Sequence, residues 1–573
     1  MSVESRLVSQ LRTVTALLWL VSAASAQLPD VRFQDVTKEA GIDFRYINGA
    51  SGNKFMPEAV GSGAAFFDAD GNGRLDLYIV NGAPLPGYQG PVGTNALFHN
   101  DGSNLAEAEA GSPTTVTFTD VTATSGTGDD SFGMAAGVGD VDNDGDADLY
   151  VANFGSNLLY RNDSSTQSLR FADVTTQAAV GDTGWGVHAA FVDYDRDGDL
   201  DLYVANYMAF STQGNRECFG GESRSYCGPT TYPGQSGVLY RNDSATGALS
   251  FVDVTEASGL RTSTGRQLAA VFGDMDDDGD ADLFIANDKK PNFLFLNNND
   301  GTFTEDAAVA GVAYNEEGLA ESAMGADLGD FDNDGRLDII VATFQWLPNT
   351  LYRNEGDGFF SDITFNANLG VASVPYLGMT AGFLDYDNDG WLDVFVANGH
   401  LDDNVRDFDP SASYEQLNQL FHNRRDGTFI EATKDSGPGM LVERVSHGAV
   451  FGDYDNDGDT DIFISDSASP QCTLLRNNGG DEVGHHLLVR AIGTTSNRDA
   501  IGTRLRVVTG DIVQTREVRR SYGYMGSGDV RVHLGLGQHD HIDTLQLRWP
   551  TGRLQTLLDV PAGGTLIIEE SPD

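Results

Sequence analysis

One nine-residue pattern, Asp-x-Asp-x-Asp/Asn-Gly-x-x-Asp, recurs seven times along this 573-residue chain and limits what it can fold into. The copies start at Asp68, Asp140, Asp193, Asp274, Asp330, Asp385 and Asp453. Successive starts lie 72, 53, 81, 56, 55 and 68 residues apart, so the unit is about 53 residues with insertions. Three satellites travel with it. Phe-x-Asp-Val-Thr lies upstream at 33–37, 118–122, 171–175 and 251–255, with looser copies at Phe303, Phe360 and Phe429. An apolar run follows the loop directly, as in Asp-Leu-Tyr-Val-Ala-Asn at 148–153. Leu-Tyr-Arg-Asn comes next, at 159–162, 239–242 and 351–354.

Each repeat therefore offers four short strands. The first is rich in Gly and Ala, the second leaves the loop, and Leu-Tyr-Arg-Asn and Phe-x-Asp-Val-Thr are the third and fourth. The second strand is apolar on both faces (Leu149 and Val151; Tyr150 and Ala152), so it must be covered on both sides. Four-stranded sheets stacked radially give that cover and close a propeller. The prediction is an all-β, seven-bladed β-propeller over 27–480, followed by a small β-sandwich or barrel over 481–573. The run opens with a fourth-strand segment at Phe33 and ends with a third-strand segment at Leu474, so the N-terminal strand can complete the last blade.

The loops predict calcium. Position one is the aspartate that starts each copy, and position three is Asp70, Asp142, Asp195, Asp276, Asp332, Asp387 and Asp455. Position five is Asn72, Asp144, Asp197, Asp278, Asp334, Asp389 and Asp457, and position nine is Asp76, Asp148, Asp201, Asp282, Asp338, Asp393 and Asp461. Hard oxygens around a tight glycine turn suit Ca²⁺ better than Mg²⁺, which demands a strict octahedron and keeps its waters. Zinc prefers Cys or His, and the loops have neither. An EF-hand needs Glu at position twelve, where this chain has Ile79, Val151, Val204, Ile285, Val341, Val396 and Ile464. About seven Ca²⁺ are expected, one per loop.

Lys and Arg number 35 against 85 Asp and Glu, a net charge of −50, which argues against nucleic acid or anionic membrane as partner. With 40% hydrophobic residues the chain is too apolar to be disordered. Residues 1–26 read as a secretory signal: Arg6 and Arg12, an apolar stretch over 16–24, then Ala-Ser-Ala at 24–26. An exported chain is expected, whether secreted, periplasmic or held at the cell surface, with no membrane insertion. Cys218 and Cys227 can then pair in an oxidising compartment, while Cys472 sits in an apolar run as a buried thiol.

The loop with its flanking strands resembles the FG-GAP/VCBS repeat of integrin-α-type propellers, over roughly residues 33–480. The C-terminal part resembles the ASPIC/UnbV domain of cartilage-acidic-protein-like chains. The resemblance rests on Asn-Arg-Asp-Ala-Ile-Gly-Thr-Arg at 497–504, Ser-Tyr-Gly-Tyr at 521–524, His-Leu-Gly-Leu-Gly at 533–537 and Leu-Arg-Trp-Pro-Thr-Gly at 547–552. Arg519 and Arg520 depart from it where glycines are expected. The resemblance implies that loop positions one, three, five and nine ligate Ca²⁺, and that such chains are extracellular or surface binding proteins.

No nucleophile elbow, phosphate loop or dinucleotide fingerprint occurs, so the chain is expected to bind a glycan or extracellular protein rather than act as an enzyme. A polysaccharide-cleaving propeller would draw on His188, His400 and His447, and a structural extracellular scaffold would only bind calcium and self-associate. Calcium loops join first to second strands and lie on one face. The insertions at 82–95, 207–237 and 399–418 emerge on the other, and Tyr226, Tyr232 and Tyr414 are the expected ligand contacts there.

Overall fold

The computed structural model describes residues 28–103, 116–165, 168–244, 249–262, 264–468 and 472–572; the signal-like segment lies outside them. Seven sheets carry the four-strand repeat, each in strand order one to four. Blade 1 is Ala64–Phe67, Asp76–Ile79, Ala96–Ser103 and Val116–Asp120, and blade 2 is Gly133–Gly139, Asp148–Asn153, Leu158–Asn162 and Phe171–Asp173. The first strands of blades 3 to 7 are Gly186–Val192, Gln267–Gly273, Ala323–Gly329, Gly378–Leu384 and Ser446–Gly452. These seven first strands touch in one closed ring, which is a β-propeller. Blade 7 takes its fourth strand from the N-terminus: Arg32–Asp35 pairs antiparallel with Thr473–Asn478, Phe33 opposite Asn477. The ring closes as the sequence predicts.

The core lies between blades. One apolar layer joins blades 1 and 2 through Phe67, Tyr78, Val138 and Leu149. Another joins blades 4 and 5 through Val271, Phe284, Leu328 and Ile339. Second strands are buried along their whole length, which is why they are apolar on both faces.

An asparagine at or near the end of each third strand staples neighbouring blades. In blade 5 the Asn354 amide donates to Leu337 O of its own loop at 3.0 Å and to Met275 O of the blade 4 loop at 2.8 Å. The same reach recurs from Asn100 to Tyr454 O, Asn162 to Ala69 O, Asn242 to Val141 O and Asn297 to Tyr194 O. Asn423 to Phe331 O and Asn477 to Tyr386 O complete the circle.

The C-terminal chain forms two facing sheets. One is Val532–Gly537, His485–Ile492 and Thr565–Glu569; the other is Ile512–Glu517, Arg504–Thr509, His541–Arg548 and Leu554–Pro561. Leu487, Val489, Leu505, Leu534, Leu545 and Trp549 fill the space between them. A finger over 519–529 leaves this sandwich and enters the propeller axis. Gly526–Ser527 runs parallel to the first strand of blade 1, and Gly523 exchanges two backbone bonds with Ala326 of blade 5. Ser521 Oγ donates to Ala189 O of blade 3, Tyr524 N to Thr380 Oγ1 of blade 6, and Phe451 N of blade 7 to the Tyr522 hydroxyl at 2.6 Å. Gly63 has to be glycine here, since a Cβ would lie 2.3 Å from Met525 O and 2.6 Å from Met134 O. Arg519 pairs with buried Asp327 of blade 5 and Arg520 with Asp499, so the arginines that replace the expected glycines anchor the root of the finger.

Replacing Asn354 with Ala leaves two buried carbonyls unpaired and is expected to destabilise the protein by about 2–4 kcal/mol. Asn298→Ala, at an exposed amide bonded only to the exposed hydroxyls of Thr302 and Thr304, serves as the control. Equal melting temperatures for the two variants would show that the staple is dispensable.

Candidate metal centres and the two propeller faces

Each loop folds around its own carboxylates. Position six is glycine at φ 81° to 103°, and position four is also left-handed, as Gly71 or as a residue with φ between 55° and 67° (Asn143, Arg196, Asp277, Asn333, Asn388, Asn456). The position-one carboxylate closes the turn: Asp140 accepts from Asp144 N at 3.1 Å and Gly145 N at 2.8 Å, and Asp385 from Asp389 N at 3.0 Å and Gly390 N at 2.8 Å. Position nine lies buried at the start of the second strand. Asp148 accepts from Val141 N at 2.9 Å and Asn162 N at 2.7 Å, and Asp338 from Phe331 N at 3.2 Å and Asn354 N at 2.8 Å. The same pair of bonds recurs at Asp76, Asp201, Asp282, Asp393 and Asp461.

The remaining oxygens converge. In Asp68-Asp70-Asp76, Asp140-Asp142-Asp148, Asp193-Asp195-Asp197 and Asp274-Asp276-Asp282, three ligand atoms lie within 4.8 Å of one another. Among the described residues, Asp193 Oδ1 and Oδ2, Asp195 Oδ1, Asp330 Oδ1, Asp387 Oδ1 and Asp455 Oδ1 are buried without a hydrogen-bond partner. Burial, then neighbouring carboxylates, push Asp140 up to about 8 and Asp193 to about 7. Burial likewise holds Asp148, Asp201, Asp282 and Asp338 well above the usual carboxylate range. Unpaired buried oxygens and carboxylates that resist ionisation together call for a cation, and an all-oxygen set with a flexible outline fits Ca²⁺.

The third strands add neighbours that the sequence reading did not assign. The residue before each stapling asparagine stands beside the loop. Arg161 favours ionisation of Asp142, Arg241 of Asp195, Arg353 of Asp332 and Arg476 of Asp455. In blade 1 His99 Nε2 lies 3.3 Å from Asp70, and in blade 6 His422 Nδ1 lies 3.3 Å from Asp393 and 3.6 Å from Asp387. The spacing of Leu-Phe-His-Asn relative to Leu-Tyr-Arg-Asn was the available signal.

The C-terminal sandwich covers this loop face, and its signature segments make the contact. Asp140 N donates to Asp499 Oδ2 at 3.2 Å and Arg498 N to Asn143 Oδ1 at 2.9 Å. Burial alone would raise Asp499, yet Arg520 and Arg490 hold it down at about 2. Arg504 and Arg548 pair with Asp274. Arg516 reaches Gly390 O at 3.3 Å, Arg531 reaches Asp453 O at 2.8 Å, and Gly537 N reaches Asn388 O at 2.8 Å.

On the opposite face the insertions interlock across the ring. Tyr226 donates to Glu58 Oε2 at 3.1 Å and lies under Lys54, whose ammonium is 4.7 Å from the ring centroid and pairs with Asp403. Asp402 accepts from Ser225 Oγ and Tyr226 N, and Asn53 O accepts from Asn215 and Arg224. The Cys218–Cys227 disulfide closes the blade 3 insertion, and Cys472 is buried and free. Tyr226 is half-buried and held by these contacts. Tyr232 is buried, with its hydroxyl between Asn215 and Arg216, and Tyr414 is half-buried, its carbonyl accepting from His400 N. His188, His400 and His447 are buried in blades 3, 6 and 7, and burial holds His188 and His447 at about 4.

Comparison with known proteins agrees with this architecture. The FG-GAP-like repeat family matches residues 140–204, 274–341, 330–396 and 385–464, and the ASPIC and UnbV family matches residues 493–573. Cartilage acidic protein 1 of Homo sapiens is 26% identical over 519 residues, 87% of this chain and 70% of that protein. Its Xenopus tropicalis counterpart is 25% identical over 525 residues, 87% of this chain and 72% of that protein. A solved Agrocybe aegerita lectin specific for non-reducing terminal N-acetylglucosamine covers 78% of this chain and 93% of its own, at 14% identity and a TM-score of 0.35. Rhamnogalacturonan lyase YesW covers 92% of this chain and 88% of its own, at 13% identity and a TM-score of 0.32. At those scores the two solved structures carry no inference about function. No helix among the described residues is long and apolar enough to cross a membrane. Loop-bearing sheets that the FG-GAP-like repeat family matches over 140–204 and 274–464, and a docked C-terminal sandwich that the ASPIC and UnbV family matches, make this chain an FG-GAP-repeat protein with an ASPIC and UnbV domain.

Proposed function

We propose that this protein is an exported, calcium-loaded propeller that binds a glycan or an extracellular protein on its insertion face. The observation that carries the reading is the covered loop face. Arginines and the finger of the C-terminal domain occupy it, so the insertion face is the one left to meet a partner. Positions one, three, five and nine of each loop hold one Ca²⁺, whose charge balances carboxylates that burial otherwise keeps protonated. Calcium fixes the loop backbone, and the loop backbone is what the C-terminal domain grips. The disulfide suits an oxidising compartment, in keeping with the signal-like start of the sequence. Buried, unionised His188 and His447 offer no acid or base to a substrate, which favours binding over cleavage.

Elemental analysis is expected to find about seven calcium ions per chain, and a chelator to lower the melting temperature strongly. Asp276→Ala is expected to release one ion. Fewer than about three ions, or a melting temperature indifferent to chelation, would overturn the metal assignment.

The pH dependence has a definite sign. Unfolded aspartates ionise near 3.8, whereas metal-free folded Asp140, Asp193 and Asp330 ionise at about 7 to 8. Their contribution is fully present below 3.8 and is lost as pH rises through 7 to 8. Chelated protein is therefore expected to melt lower at about pH 8 than at about pH 5, and calcium-loaded protein the reverse. A chelated form that grows more stable over that interval would contradict the argument from burial.

A further inference from the structure

Trp346 is the most conspicuous side chain on the insertion face. It is 50% exposed and sits at φ 71°, a backbone conformation that a bulky residue adopts only when its surroundings enforce it. The enforcement is visible. Its backbone N–H donates to Val374 O at 2.9 Å, and its indole N–H donates to Asp409 Oδ2 at 3.0 Å. Asp409 comes from the blade 6 insertion, and its other oxygen is held by the hydroxyl and the backbone N–H of Ser411. The indole is thus rigid, its one polar atom is satisfied, and much of its surface is open to solvent. A fold selected for stability alone would place Gly or Asn at this φ and would not expose an indole.

The surroundings indicate what the ring meets. Asp409 stands at the indole, and the 399–418 insertion that carries it holds five acidic residues (Asp402, Asp403, Asp407, Asp409 and Glu415) against Arg406, on a protein of net charge −50. Phe408, next in sequence to Asp409, lies against Gly220 of the blade 3 insertion, where the adjacent Phe219 is 60% exposed. An exposed indole held by a carboxylate on an acidic insertion suits a cation, because the ring face and the carboxylate attract the same charge. The interlocked insertions already contain this arrangement internally: the Lys54 ammonium lies over Tyr226, with Asp403 paired to it and Glu58 bonded to the ring hydroxyl. Acidic glycans and nucleic acids are repelled from such a surface.

Resting on the binding role proposed above, we infer that Trp346, positioned by Asp409, is the contact for an arginine or lysine side chain of a basic protein segment. Phe408 and Phe219 take the aliphatic stems that flank it.

The test uses the full calcium-loaded chain, with tetra-arginine and tetra-lysine peptides as probes, read by tryptophan fluorescence and calorimetry. Trp346→Gly removes the indole while suiting the left-handed backbone, so its melting temperature should not fall. Peptide affinity should drop about tenfold or more, because an aromatic anchor dominates such contacts. Asp409→Asn keeps an acceptor for the indole N–H but loses the charge, and is expected to weaken binding less, with a shallower salt dependence. Undiminished peptide binding by Trp346→Gly would mean attraction to net charge alone and would overturn the inference, while leaving open another ligand on this face. Quenching of Trp346 by neutral oligosaccharides without peptide binding would overturn it in favour of a glycan. If loss of the three insertions spares the binding of every ligand found, the choice of face fails as well.

Discussion

The structure depends on one buried carboxylate, the aspartate at loop position nine. It begins the second strand, where exposure is essentially nil, and accepts one N–H from position two of its loop and one from the third strand. Those two bonds favour the ionised form, while burial and neighbouring carboxylates oppose it. Without a counter-charge the group is caught between protonation, which weakens what it offers the two donors, and ionisation in a medium that penalises charge. The dication proposed for the loop centre would resolve the conflict and let the same oxygens hold metal and backbone together. The motif is a strand junction as well as the proposed ligand set, and the junction alone would account for its regular recurrence.

Because the stapling asparagine reaches from one blade to the loop of the preceding blade, the order of one loop is a condition for the order of the next. Asn477 continues this to Tyr386 O, and Asn100 of blade 1 reaches Tyr454 O of blade 7 across the seam closed by the N-terminal strand. A solenoid of similar repeats would fray from its ends. Here the ends are joined, and apolar layers such as Val271–Leu328 and Phe67–Val138 are shared by neighbouring blades. Loop order, blade packing and ring closure form a single cooperative problem.

What could be read from the chain was what is local. Alternation, small first-strand residues and the aspartate spacing lie within single repeats, so strand order, loop position and the closing strand at Phe33 were all legible. The Cys218–Cys227 pair, nine residues apart, was equally so. Apart from that closing strand, contacts between distant segments were not. Glu58, Tyr226 and Asp402 meet across blades 1, 3 and 6, and nothing local marks Tyr226 as the residue that joins them. The docking of the C-terminal domain left a faint trace: residues 485–573 hold ten arginines, no lysine and ten acidic residues, so the net −50 resides elsewhere in the chain. Arginine without lysine fits bidentate, partly buried contacts with carboxylates and carbonyls, which is the role Arg504, Arg516, Arg531 and Arg548 play.

Position four shows why that domain and the propeller form one unit. Its side chain donates to the position-six carbonyl of the next loop in five blades: Asn143 to Gly198, Arg196 to Gly279, Asn333 to Gly390, Asn388 to Gly458 and Asn456 to Gly73. Two loops cannot comply. Gly71 has no side chain, and Asp277 is an acceptor facing an acceptor. Both breaks lie beneath arginines of the C-terminal domain. Arg498 lies against Gly145, the carbonyl partner that Gly71 cannot reach. Arg504 donates to Asp274 and Asp277 and carries the contact on to Gly335 O, supplying the donor that Asp277 lacks. A propeller without its sandwich would therefore retain a break between blades 4 and 5 with Asp277 unpaired beside Gly335, so the ring of loops is completed by the domain that covers it.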